Sequence, residues 1–147
     1  MRSLWNDGAA SEIHTRIGRL TPDRKGEWGR MSAPQMVCHL GESLKMALGD
    51  LPVASKPSPL RYAPLKQFIV YLAPFPKNVP TAPELLARPP GDWTGDVTAL
   101  LGLVDRVVAR GRSPAWEKHP VFGALSPRAW GVLMYRHIDH HLRQFGA

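Results

Sequence analysis

Fifteen prolines among 147 residues limit this chain to a set of separated segments. A proline inside a helix removes a hydrogen bond and clashes with the preceding turn, so helices begin at it or end before it. Here the prolines and glycines fall as punctuation between stretches of apolar periodicity. That pattern predicts several helices joined by substantial loops.

Residues 9–20 place Ile13, Ile17 and Leu20 at spacings of four and three, an amphipathic helix that Thr21-Pro22 ends. His14 lies about 100° from that stripe, which predicts an exposed side chain. Ser32-Ala-Pro-Gln35 is a strong start: Ser32 caps, Pro34 fits the first turn and Gln35 completes a capping box. This second helix runs to Leu48, with Gly49 as its stop. Its inward stripe is Met36, His39, Leu40, Ser43, Met46 and Ala47. Residues 49–60 hold three prolines and form a loop. Residues 61–73 predict a shorter, very apolar helix beginning near Pro64, with a buried strand over Phe68–Leu72 as the alternative. Residues 74–93 contain six prolines and predict a long irregular segment, a kind of loop that tends to be functional. A helix from Thr94 to Arg110 follows, with Leu100, Leu101, Val104, Val107 and Val108 on a broad apolar face and Gly111 as the stop. Residues 112–125 form a loop, and Ser126-Pro127 opens the last helix. The prediction is an all-α single domain over residues 1–147. Its architecture is a four-helix bundle with a long Pro-rich crossover that contains a short extra helix.

The last helix, Trp130 to Phe145, carries the unusual chemistry. His137 and His141 are about 40° apart on the helical wheel, one turn above the other. Trp130 and Met134 share their side, so the pair faces the core. Buried imidazoles are costly unless a partner satisfies them, and a metal ion does so. His39 occupies the inward stripe of the second helix. Three neutral imidazoles suit Zn, Ni, Fe or Co, and a three-ligand set leaves one position open. Ordinary core histidines bonded to neighbours are the alternative. His140 stands at the border of the stripe and competes with His141 as a ligand. Gln144 faces inward three residues after His141 and is a candidate for a water or substrate contact. Glu42, three residues after His39, is a candidate orienting group or base. Asp139 lies on the far side, where exposure is expected. No HExxH places a general-base glutamate on the site. Cys38 points about 100° from His39, and no acid supports a nucleophilic Ser43.

The formal charge of +7 admits a polyanionic partner. The 19 Lys and Arg are scattered, however, and no RNP-like motif accompanies them, so nucleic-acid binding is not expected. A single cysteine excludes an internal disulfide. No apolar leader opens the chain, and the longest apolar run is far shorter than a membrane span. A soluble, cytoplasmic protein is expected.

Two stretches together resemble a known family. Residues 28–43, WGRMSAPQMVCHLGES, put a histidine on the second helix after Trp and a Ser-x-x-Gln start. Residues 122–145, FGALSPRAWGVLMYRHIDHHLRQF, supply His-x-x-x-His-x-x-Gln near the C-terminus. This pattern resembles the DinB/YfiT-like superfamily of metalloenzymes, in a branch of unknown function. The resemblance implies a four-helix bundle in which His39, His137 and His141 hold a divalent ion, Zn or Ni, with Gln144 at a position the family keeps. It implies a homodimer and a small-molecule substrate, with relatives that are transferases and an isomerase using low-molecular-weight thiols such as bacillithiol or mycothiol. An ion that polarises a bound water or thiol makes thiol transfer or hydrolysis the expected reaction class. A non-catalytic stress-response or binding bundle is the other expectation. The Pro-rich residues 49–93 depart from the better-known members, so their substrates do not carry over.

Overall fold

The computed structural model describes residues 1–147 and is all-helical. Helix α1 spans Ala9–Gly18, α2 Ala33–Leu48, α4 Trp93–Arg110 and α5 Pro127–Gln144. Between α2 and α4 lies α3, Leu65–Gln67, which widens into a π-helical turn over Phe68–Leu72. The strand alternative for Phe68–Leu72 is thereby excluded.

The helix ends follow the local chemistry. The Ser32 hydroxyl accepts from the Gln35 amide at 3.2 Å while the Gln35 side chain accepts from the Ser32 amide at 2.8 Å. Asp92 caps α4 through the Gly95 amide, and Ser126 caps α5 through the Ala129 amide. Gly49 ends α2 at φ 85°, a left-handed conformation that costs a side-chain-bearing residue strain.

Helix α2 lies along α4, while α1 packs on α4 and α5. The core joins Ile13 and Ile17 of α1, Met36 and Leu40 of α2, Leu100, Val104 and Val107 of α4, and Trp130, Ile138 and Leu142 of α5. The inward stripe predicted for α2 is buried, but so are Val37, Cys38, Glu42 and Leu44 on its other sides. The cause is the Pro-rich crossover, which wraps the side of α2 that α4 and α5 leave open. Its Arg88 reaches the Asp96 carboxylate of α4 at 2.9 Å, the Cys38 sulfur at 3.1 Å and Glu42 at 3.5 Å. Burial pushes the Asp96 carboxyl up, yet the Gly91 amide and the Arg88 guanidinium outweigh it and hold the group ionised below its ordinary range.

Two side chains expected to be exposed are engaged. Asp139 pairs with Arg16 of α1 at 2.8 Å and with Arg143 one turn on at 3.0 Å. His14 reaches Asp105 of α4 at 2.9 Å. Helical wheels assign such residues to the outside. Here α1 crosses the back of α5 and lies against α4, so the outside of each is partly covered. The N-terminal arm also returns to α5, with the Leu4 amide donating to the Gly131 carbonyl at 3.1 Å and Trp5 Nε1 to the Pro127 carbonyl at 2.8 Å. No helix is long and apolar enough to cross a membrane.

Candidate metal centre

Helix α2 presents His39, and α5 presents His137 and His141 one turn apart. Their ligand nitrogens lie within 4.8 Å of one another. The three rings meet edge-on, with centroids 5.0 Å apart for His39 and His137, 4.9 Å for His39 and His141, and 4.9 Å for His137 and His141. His39 and His141 are buried, and His137 keeps partial exposure.

The hydrogen bonds determine which nitrogens are free. Nδ1 of His39 stands 3.4 Å from the Leu85 carbonyl, which only accepts. That nitrogen therefore carries the proton and Nε2 is a bare lone pair. Gln144 Nε2 donates to the Trp28 carbonyl at 2.7 Å, which turns Gln144 Oε1 toward His141 Nδ1 at 2.7 Å. His141 Nδ1 must then be the donor, and its Nε2 is bare as well. Two carbonyl-type acceptors thus set two tautomers, and both leave Nε2 available. The other ring nitrogen of a metal-ligating histidine is commonly held in this way.

Nε2 of His39 lies 3.1 Å from Nε2 of His137. Two nitrogens on one tetrahedral zinc are separated by about 3.3 Å, and at a right angle by about 2.9 Å, given Zn–N bonds of roughly 2.0–2.1 Å. The observed spacing falls between these values. The outer limit of 4.8 Å is wider, so holding one ion requires the outermost imidazole to swing inward by up to about 1.5 Å. The donor set, three imidazoles with no carboxylate or thiolate, fits a borderline divalent ion.

Electrostatics favour the neutral rings that a metal needs. Burial lowers the His39 pKa, against a small opposing effect of the Leu85 carbonyl. Burial pulls His137 well below its ordinary range, and the neighbouring His141 and His39 add to it. His141 is brought down to about 4, again chiefly by burial.

The remaining candidates occupy distinct places. Gln144 is buried and orients His141, with its amide fully engaged by His141 and Trp28. Glu42 is buried and turned to Lys45 at 2.8 Å and to Arg88, and it does not meet a ring nitrogen of His39. His140 is not among the three converging residues. It packs edge-on to His141 at 5.2 Å and lies against Trp28 at 5.6 Å and Phe75 at 5.9 Å.

Several participants escaped the sequence reading. The carbonyls of Leu85 and Trp28 orient ligands, and a backbone carbonyl carries no residue-type signal. Phe75 and Arg136 close the site from the crossover side. Arg136 donates to the carbonyls of Ile69, Val70 and Ala73 and so clamps the π-helical turn beside His137. The one available signal was a charged residue directly preceding a core-facing histidine.

No curated protein and no solved structure matches the chain. A family model described as a protein of unknown function, DUF1569, matches residues 9–147, nearly the full length. The chain therefore belongs to the DUF1569 family.

Proposed function

We propose that the chain is a DinB/YfiT-like four-helix bundle that binds one divalent ion, zinc or nickel, through His39, His137 and His141, and acts on a small molecule there. The observation that carries this reading is the pair of tautomers set by Leu85 and by Gln144, which leave Nε2 of His39 and of His141 bare beside His137, with the His39 nitrogen 3.1 Å from His137 Nε2 and ligand atoms of all three within 4.8 Å. When bound, the ion supplies Lewis acidity and lowers the pKa of a water or thiol in the fourth position. The chain's own residues do the rest. Leu85 and Gln144 hold the rings in register, Arg136 keeps the crossover closed over His137, and the burial of His39 and His141 excludes bulk water from that side. Thiol transfer or hydrolysis is the reaction class this supports. The resemblance of both motif stretches to the superfamily supports a homodimer.

The test is metal analysis of protein purified without a histidine tag and dialysed against buffered zinc. Wild type should retain about one ion per chain, and His137→Ala should lose it while keeping its helical circular dichroism. His140→Ala should retain the ion. Equal metal in wild type and His137→Ala overturns the reading.

A further inference from the structure

Within the three-His centre His39 and His141 are buried, whereas His137 and its neighbour His140 keep partial exposure, so the more accessible edge of the centre lies on the side of α5 that these two share. Two aromatic rings stand there. Phe75 lies 6.4 Å from His137 and 5.9 Å from His140, and Trp28 lies 5.6 Å from His140, all between ring centroids.

Each of those rings carries a cation. Lys77 Nζ sits 4.1 Å from the centre of the Trp28 ring, and the Arg136 guanidinium carbon sits 4.8 Å from that of Phe75. Neither cation is paired with a carboxylate. Arg136 uses its terminal nitrogens on three backbone carbonyls of the crossover. The ammonium of Lys77 has only the aromatic face beneath it, which leaves its N–H donors directed away from the ring. The carboxylate next to His140 in the chain, Asp139, is already committed to Arg16 and Arg143. Arg88, Arg106 and Lys45, by contrast, are paired with Asp96, Asp50 and Glu42. The rim of the centre thus carries positive charge without a counterion. Aromatic walls that exclude water strengthen the attraction of that charge for an anion.

We infer that this rim selects a small-molecule substrate that carries a negative charge, with Lys77 as the residue that meets the charge and Trp28 and Phe75 as the walls that place the reacting group. The inference rests on the metal-centre reading and adds the substrate class to it. Lys77 is a specificity-determining residue in this account and touches no ligand of the centre. A sulfonate, carboxylate or phosphate shares the required chemistry.

The experiment uses the full chain loaded with cobalt(II), whose absorption spectrum reports both uptake and sulfur ligation. Two thiols of matched length serve as probes: 3-mercaptopropanesulfonate, whose sulfonate is a poor metal ligand, and neutral 3-mercapto-1-propanol. Binding is followed by the sulfur-to-cobalt charge-transfer band. Wild type should bind the anionic thiol about tenfold more tightly than the neutral one at low salt, and the preference should shrink as salt screens the rim. Lys77→Gln should bring the anionic thiol to the affinity of the neutral one and leave the neutral thiol unchanged. Lys77→Arg should restore the preference. Cobalt uptake with equal affinity for the two thiols, or a preference that survives Lys77→Gln, overturns this inference and leaves the metal centre standing. Failure to take up cobalt at the three-His centre removes both.

Discussion

Replacing Gln144 by Leu isolates the device that orients His141. In wild type the Gln144 amide accepts from His141 Nδ1 and donates to the Trp28 carbonyl, both at 2.7 Å. Leucine has similar bulk and can do neither. A buried Nδ1–H and a carbonyl are left without their partners, at a cost of about 1–3 kcal/mol for each, and the carbonyl can recover part of this from water. The apo protein should therefore lose roughly 2–4 kcal/mol in urea unfolding. The second effect falls on the metal. Without its acceptor, His141 is free to switch tautomer and present Nε2–H to the centre, so zinc affinity should fall by about 10–100-fold. The two effects separate by linkage: at free zinc of 100 times the wild-type dissociation constant, wild type gains about 2.7 kcal/mol, and a variant that binds tenfold more weakly gains about 1.4. Competition with a chromophoric chelator gives the affinity directly. Gln144→Glu should keep the acceptor for His141 and sacrifice only the bond to Trp28, so it should retain most of the affinity. A Gln144→Leu protein that binds zinc as tightly as wild type would falsify the assignment of Gln144 as the orienting group.

Two further outcomes are expected. His119 Nδ1 accepts from the amides of Val121 and Phe122 at 3.1 and 3.2 Å, so the folded state requires it unprotonated, and burial holds its pKa at about 4. The unfolded chain takes up the proton near 6.5, so the contribution is complete above that pH, declines as pH falls, and is gone below about 4; it amounts to about 3 kcal/mol. Urea unfolding at pH 7 and pH 4.5 should show this loss in wild type, and His119→Asn should remove that part of the pH dependence. A Cβ on Gly131 would lie 2.3 Å from Trp5 Nε1 and 2.5 Å from Ser3 Oγ, so Gly131→Ala must displace the N-terminal arm. The expected loss is about 1–3 kcal/mol in thermal or urea unfolding, and a variant as stable as wild type would show that the arm adds nothing there.

The convergence of the three histidines was legible because helical periodicity is a local property. His137 and His141 had to share a face, and Trp130 and Met134 showed that this face looks inward. The caps at Ser32 and Ser126 were legible for the same reason, since they involve residues within a turn of each other. The roles of Glu42, Gln144 and Asp139 were not. Each depends on what arrives from another segment: Arg88 for Glu42, the Trp28 carbonyl for Gln144, Arg16 for Asp139.

The sequence by itself determined the helical segments, their ends, and the three imidazoles that look into the core. These follow from backbone sterics and from the 3.6-residue repeat, which act over a few residues. Only the tertiary structure decided which nitrogens are free, how the crossover closes over α2, and which cations are left at the rim without a counterion. Those depend on distances between segments far apart in the chain, such as His39 and His137, and on carbonyls that every residue possesses. No pattern of side chains encodes them locally, because they arise only when packing brings the segments together.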